Sequence, residues 1–212
     1  VTVQASSTPA AGLPGQELVG WAAVICSAIY LASDVVELAQ GGFSVPQLVL
    51  TYVAEAAIPL VVLGLYAVQR PQIGRLGLAA AIAYAYAFIF FTATVVVALV
   101  EHSPSWVVLQ EQLGPWVTVH GVVMVLAGAA FGWATVRAGR LPRWTGLALI
   151  VGVVAVAATS AMAEPWQLAA AAVRDLAIAA MGAALLTSRG GKITATGPVR
   201  LTERRPRDDV RA

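Results

Sequence analysis

Six uninterrupted apolar stretches, each about twenty residues long, dominate this chain and fix what it can become. They run over 18–38, 48–68, 76–100, 116–136, 144–162 and 166–186. A hydrocarbon core about 30 Å thick is crossed by a helix of about 20 residues. In lipid every backbone N–H and C=O must find its partner inside the protein, which leaves helices or closed barrels. Barrel strands would be about 10 residues long and would alternate in polarity, whereas these stretches are apolar throughout. Only 11% of the residues are charged and 59% are apolar, against about 25% charged in a soluble domain. The expected fold is therefore all-α, a polytopic transmembrane bundle of six helices over 17–188.

The charges set the expected orientation. Of the 13 basic residues, 12 fall in the turns 69–75 and 137–143 or after position 186. The alternate loops hold Glu101, Glu111 and Glu164 and no basic residue. Loops rich in Lys and Arg stay in the cytoplasm, so both termini are expected inside. Trp21, Trp133 and Trp144 lie near expected inner ends, and Trp106, Trp116 and Trp166 near outer ends, where tryptophan favours the headgroup boundary. Residues 1–16 carry no charge and 189–212 mix Arg, Asp, Gly and Pro; both read as disordered, the second as a basic cytoplasmic tail. The leader lacks the basic segment of a secretory signal, so the first span is expected to stay. The Arg bias and Ala/Val/Gly richness suggest a GC-rich bacterium, hence a multi-pass protein of the bacterial cytoplasmic membrane. Span 166–186 is expected to be the weakest, because it contains Arg174 and Asp175.

Between spans three and four, Ser103 and Pro104 suit a helix start. Trp106, Leu109 and Leu113 then share one face. This predicts a short amphipathic helix on the outer membrane surface. Gly128 and Gly132 form a small-xxx-small pattern that predicts close packing within the chain.

Charged side chains inside spans face the bundle interior and are the first candidates for function. Glu55 and Arg174 are expected at similar depth in the outer half, as an ion pair, with His120 and Asp34 nearby and Asp175 directed about 100° away from Arg174. Ser27, Tyr30, Asp34 and Glu37 share one face of the first span. Tyr52, Glu55 and Pro59 share one face of the second, and Pro59 removes the helical donor from the Glu55 carbonyl. The candidate polar, ligand or proton site is thus Glu55, Arg174, His120, Asp34, Asp175, Tyr52 and Tyr30.

No phosphate loop, G-x-S-x-G element or cysteine pair is present. His102 and His120 are the only histidines, and His102 is expected in water, a poor arrangement for haem. No cofactor, metal or nucleic-acid partner is expected. The expected partners are membrane lipid and another membrane protein. The leading expectation is a non-enzymatic structural or regulatory component of the cell envelope. The alternative is a small proton-coupled transporter or solute-binding protein using the Glu/His/Arg cluster.

The segments IPLVVLGLYAVQR and AGRLPRWTGLALIVG carry a resemblance. Residues 58–151, under half of the chain, resemble a broad group of uncharacterised actinobacterial six-helix integral membrane proteins. The resemblance implies the fold and brings no activity or catalytic residue with it.

Overall fold

The computed structural model describes residues 14–188, which are helical, with no strand among them. The helices are α1 (Pro14–Gln40), α2 (Val45–Val68), α3 (Gly74–Val100), α4 (Trp106–Leu113), α5 (Pro115–Ala138), α6 (Arg143–Thr159) and α7 (Glu164–Thr187). Five of them, α1, α2, α3, α5 and α7, are long and apolar enough to cross a membrane. The chain is a multi-pass helical membrane protein. The expected disorder of 1–16 and 189–212 falls mostly outside the described residues, but Pro14–Gln16 already belong to α1.

The expected span that falls short is α6, not the helix that carries Arg174. At 17 residues it is about 25 Å long, less than a hydrocarbon core of about 30 Å. It stops at Thr159, before the apolar run does. The hydroxyl of Thr159 donates to the Ala155 carbonyl at 2.9 Å, and that of Ser160 to the Ala157 carbonyl at 2.9 Å. Both hydroxyls thus bond back onto the last turn of the helix. Pro165 then opens α7, a residue suited to a first turn and unable to continue a helix. Gln167 spans the junction, its Nε2 donating to the Met162 carbonyl at 2.8 Å. By contrast α7 is continuous for 24 residues.

The helices other than α4 close a ring. α1 packs on α2 and α7, α3 on α2 and α5, and α6 on α5 and α7. Gln16 joins the two ends of the described chain, donating from Nε2 to the Leu185 carbonyl at 3.2 Å and to the Ser188 hydroxyl at 3.1 Å. At the same end, buried Gln69 donates to the Thr135 hydroxyl at 3.4 Å and ties α2 to α5. This basic end gathers Arg70, Arg75, Arg137, Arg140 and Arg143. The opposite, acidic end carries Glu37, Glu101, Glu111 and Glu164.

Glycine sets how tightly the ring closes. A Cβ at Gly182 would stand 2.6 Å from the Gly20 carbonyl oxygen, bringing α7 onto α1. A Cβ at Gly132 would stand 2.6 Å from the Gly146 carbonyl oxygen, and one at Gly146 would stand 2.5 Å from that of Gly132, so α5 and α6 touch backbone to backbone. Gly128 lies against Val153 and Tyr84, and Gly64 against Val19. The small-xxx-small pattern of α5 is therefore used inside the chain. Tyr84, Phe88, Phe131, Leu149 and Met181 are fully buried in this half. The ring's outer surface is apolar: Leu60 is 74% exposed and Leu126 67%. A surface of that kind suits lipid and not water. Trp21, Trp133, Trp144, Trp116 and Trp166 all lie on it, each at least half exposed.

α4 forms where a helix was expected, but its apolar face meets protein. Leu109 is buried with Leu48, Val95 and Ala98, with Trp106 and Leu113 packed alongside. Ser103 does not cap it. Ser105 holds the cap position, and the Ser103 hydroxyl donates to Gln112 Oε1 at 2.7 Å. The α1–α2 turn is fastened to the same loop, since the Phe43 N–H donates to the Pro104 carbonyl at 2.9 Å.

The glycine contacts carry a clear expectation. Gly146→Leu forces α5 and α6 apart and should cost about 1–3 kcal/mol, the usual range for overpacking. Thermal unfolding in detergent is the check, and an unchanged midpoint would contradict the backbone contact.

Candidate functional site

The polar side chains of α1, α2 and α7 meet on the acidic half of the ring. Polar residues at i, i+4 and i+8 place Gln47, Thr51 and Glu55 along one buried stripe of α2. They face Tyr30, Ser33, Asp34 and Glu37 of α1, all 9% exposed or less. The Tyr30 hydroxyl donates to Glu55 Oε1 at 2.7 Å. Gln47 Nε2 donates to Glu37 Oε2 at 2.9 Å and to the Thr51 hydroxyl at 3.1 Å. Ser33 and Thr51 hydroxyls pair at 2.5 Å. Three carboxyl oxygens, Glu55 Oε2, Asp34 Oδ2 and Glu164 Oε1, are buried with no protein hydrogen-bond partner. A polar atom buried in that way is costly.

The Glu55–Arg174 ion pair does not form. Arg174 pairs instead with its chain neighbour, Nε donating to Asp175 Oδ1 at 2.9 Å and Nη2 to Oδ2 at 3.3 Å. Successive Cβ atoms on a helix do diverge by about 100°, but the flexible arginine side chain curls across that angle. The fork-to-fork geometry is the strong form of such a pair. The guanidinium also lies 5.0 Å from the Tyr30 ring centre and 5.5 Å from that of Phe88, within cation–π reach. Its backbone is pressed against α6, where a Cβ at Gly152 would stand 2.6 Å from the Arg174 Cα.

His120 and Tyr52 lie apart from this cluster. His120 stacks on Phe90 with ring centres 3.6 Å apart. Its Nδ1 lies 2.8 Å from the Trp116 carbonyl, which only accepts, so Nδ1 carries the proton. Nε2 then accepts from the Tyr86 hydroxyl at 3.1 Å. Both ring nitrogens are engaged, which suits neither a metal nor a haem iron. Tyr52 is 41% exposed on the ring's outer surface, because the buried stripe of α2 follows Thr51. Pro59 leaves α2 unbroken. Near it, the Cys26 thiol donates to the Ala54 carbonyl at 3.0 Å. No group of three His, Cys, Asp or Glu side chains suited to a metal occurs among the described residues.

The polar cluster borders a cavity of about 810 Å³. Tyr30, Asp34, Glu37, Gln47, Thr51 and Glu55 form one side, and Arg174 and Glu164 of α7 another. Trp106, Leu109 and Gln110 of α4 border it at the acidic end. Phe91, Val95, Val117 and Met124 supply apolar wall. Sequence reasoning missed Ser33, Gln47, Thr51 and Glu164 as parts of this site. The spacing of Gln47, Thr51 and Glu55 was the available signal.

Fold and site together define a multi-pass helical membrane protein with a polar cavity at its acidic end. Comparisons with protein-family models, curated proteins and solved structures each find no match.

The Arg174–Asp175 pair yields a mutant cycle. Arg174→Met alone strands a buried carboxylate and should destabilise by about 3–5 kcal/mol. Arg174→Met with Asp175→Leu should recover most of that loss in thermal unfolding. A double variant as unstable as the single one would contradict the pairing.

Proposed function

We propose that the protein is a solute-binding protein of the bacterial cytoplasmic membrane, with six spans, both termini in the cytoplasm and its cavity facing the outside. The cavity lined by Glu55 and Asp34 carries this reading. Ligand sites are concave, largely apolar, and hold a few converging polar groups. A purely structural or regulatory envelope component needs no such space. An enzyme using His120 finds less support, since His120 contacts Tyr86 and Phe90 and no carboxylate.

Charge supports the orientation. The start of α1, the end of α7 and both arginine-rich turns share one end, and Lys/Arg-rich loops stay inside. The shorter α6 spans by modest thinning of the bilayer beside it. Kinship with the actinobacterial six-helix proteins belongs to the same proposal and adds no activity.

Cysteine labelling in whole cells tests it, in a Cys26→Ser background. Thr51→Cys should react with a small membrane-impermeant methanethiosulfonate added outside, and Arg140→Cys only after permeabilisation. A Thr51→Cys variant that stays unreactive from outside, or an Arg140→Cys variant labelled in intact cells, would overturn the reading.

A further inference from the structure

The cavity's charges are unbalanced. Asp34, Glu37, Glu55 and Glu164 border it, and the one basic side chain on its wall is Arg174. Arg174 is already matched by Asp175, so it offers no net positive charge to a ligand. The remaining demand is for hydrogen-bond donors carrying positive charge. Glu55 and Asp34 both border the cavity and are 5% and 8% exposed, and one oxygen of each is buried without a protein hydrogen-bond partner. Beside Glu55 and Asp34 an ammonium N–H would find two carboxylates to accept it.

The shape defines the rest of the ligand. α5 and α6 touch at Gly132–Gly146 and again at Gly128–Val153. Further toward the acidic end both helices line the cavity, with Gly121 and Val122 on α5, Val156 and Ala157 on α6, and Ser160 just beyond it. Val122 is 54% exposed on the ring's outer surface, so the cavity reaches the lipid-facing side between these two helices. The early end of α6 at Thr159 leaves that side low. Gly121 sits within the opening, and a Cβ there would meet nothing within 4 Å. An apolar tail can lie in this cleft while a charged head reaches Glu55 and Asp34.

We propose that the cavity binds an amphiphilic primary amine, its ammonium held by Glu55 and Asp34 and its apolar tail leaving toward the membrane between α5 and α6. This rests on the solute-binding reading above and adds the chemical class.

The test uses the full chain in zwitterionic lipid nanodiscs, with empty nanodiscs as reference, and calorimetric titration of octylammonium, octanol and octanoate. Octylammonium should bind saturably and at least about tenfold more tightly than the other two, as a charge-assisted contact requires. Glu55→Gln with Asp34→Asn should lower octylammonium to the level of octanol. Gly121→Leu should abolish binding without lowering thermal stability, because it fills the cleft and removes a helical glycine. Octanol or octanoate binding as tightly as octylammonium, no saturable octylammonium binding, or unchanged binding in Gly121→Leu would each overturn the inference. If Thr51→Cys is still labelled from outside, such a result leaves the solute-binding reading standing; if it is not, that reading falls as well.

Discussion

Backbone contact through glycine holds this molecule in shape. Lipid tails are as apolar as leucine, so no hydrophobic force drives one span onto another, and close packing of small residues takes its place. Here Gly20 meets Gly182, Gly132 meets Gly146, and Gly152 meets the backbone of Arg174. Apart from Gly152, near the middle of α6, these contacts lie toward the basic end. They draw α1 against α7, α5 against α6 and α6 against α7. The ring is thereby pinched at the end where α1 begins and α7 ends, beside the arginine-rich turns, and filled there by Tyr84, Phe88, Phe131 and Met181.

The acidic half has the opposite character. Gly121, the glycine of α5 on that side, touches nothing, and the space it faces is the cavity. The polar side chains follow the same division. Gln47, Thr51 and Glu55 bind Ser33, Tyr30 and Glu37 across the α1–α2 seam, so that seam is held by hydrogen bonds above and by close packing below. The Gly152 contact fixes the backbone at Arg174, the guanidinium rests over Tyr30 and Phe88, and Asp175 neutralises it. One glycine on α6 thus helps set where the Arg174 charge sits in the ring.

Much of the architecture was legible because apolar length is a one-dimensional signal. Five of the apolar stretches became helices long enough to cross a membrane, and a short helix formed at Trp106, though its apolar face packs on protein. The end of α6 was not legible, because Ala161 and Met162 continue the hydropathy beyond Thr159, where the helix stops. Side-chain partners failed for a different reason. Helical depth placed Glu55 and Arg174 at one level, but depth says nothing about which flexible side chain reaches which charge. Asp175 belongs to the expected site, but the direction of its Cβ argues against a pair with Arg174, and arginine is long enough to ignore that direction. Tyr52 and Thr51 differ by one position, and only the packing of α1 decides which of them turns inward. His120 is satisfied by Tyr86 and the Trp116 carbonyl, contacts that helical periodicity cannot anticipate. The cavity, a product of where helices diverge, left no mark on the sequence.

The longest-range claim is the closure of the ring, in which Gln16 meets Leu185 and Ser188 across nearly the whole described chain. Disulfide trapping in native membranes measures it directly. With Cys26 replaced by serine, Gln16→Cys together with Ser188→Cys should form an intrachain disulfide under mild oxidation, seen as a monomer of altered gel mobility that reverts on reduction. Failure to cross-link, or a disulfide that links only separate chains, would contradict a ring closed by α1 against α7.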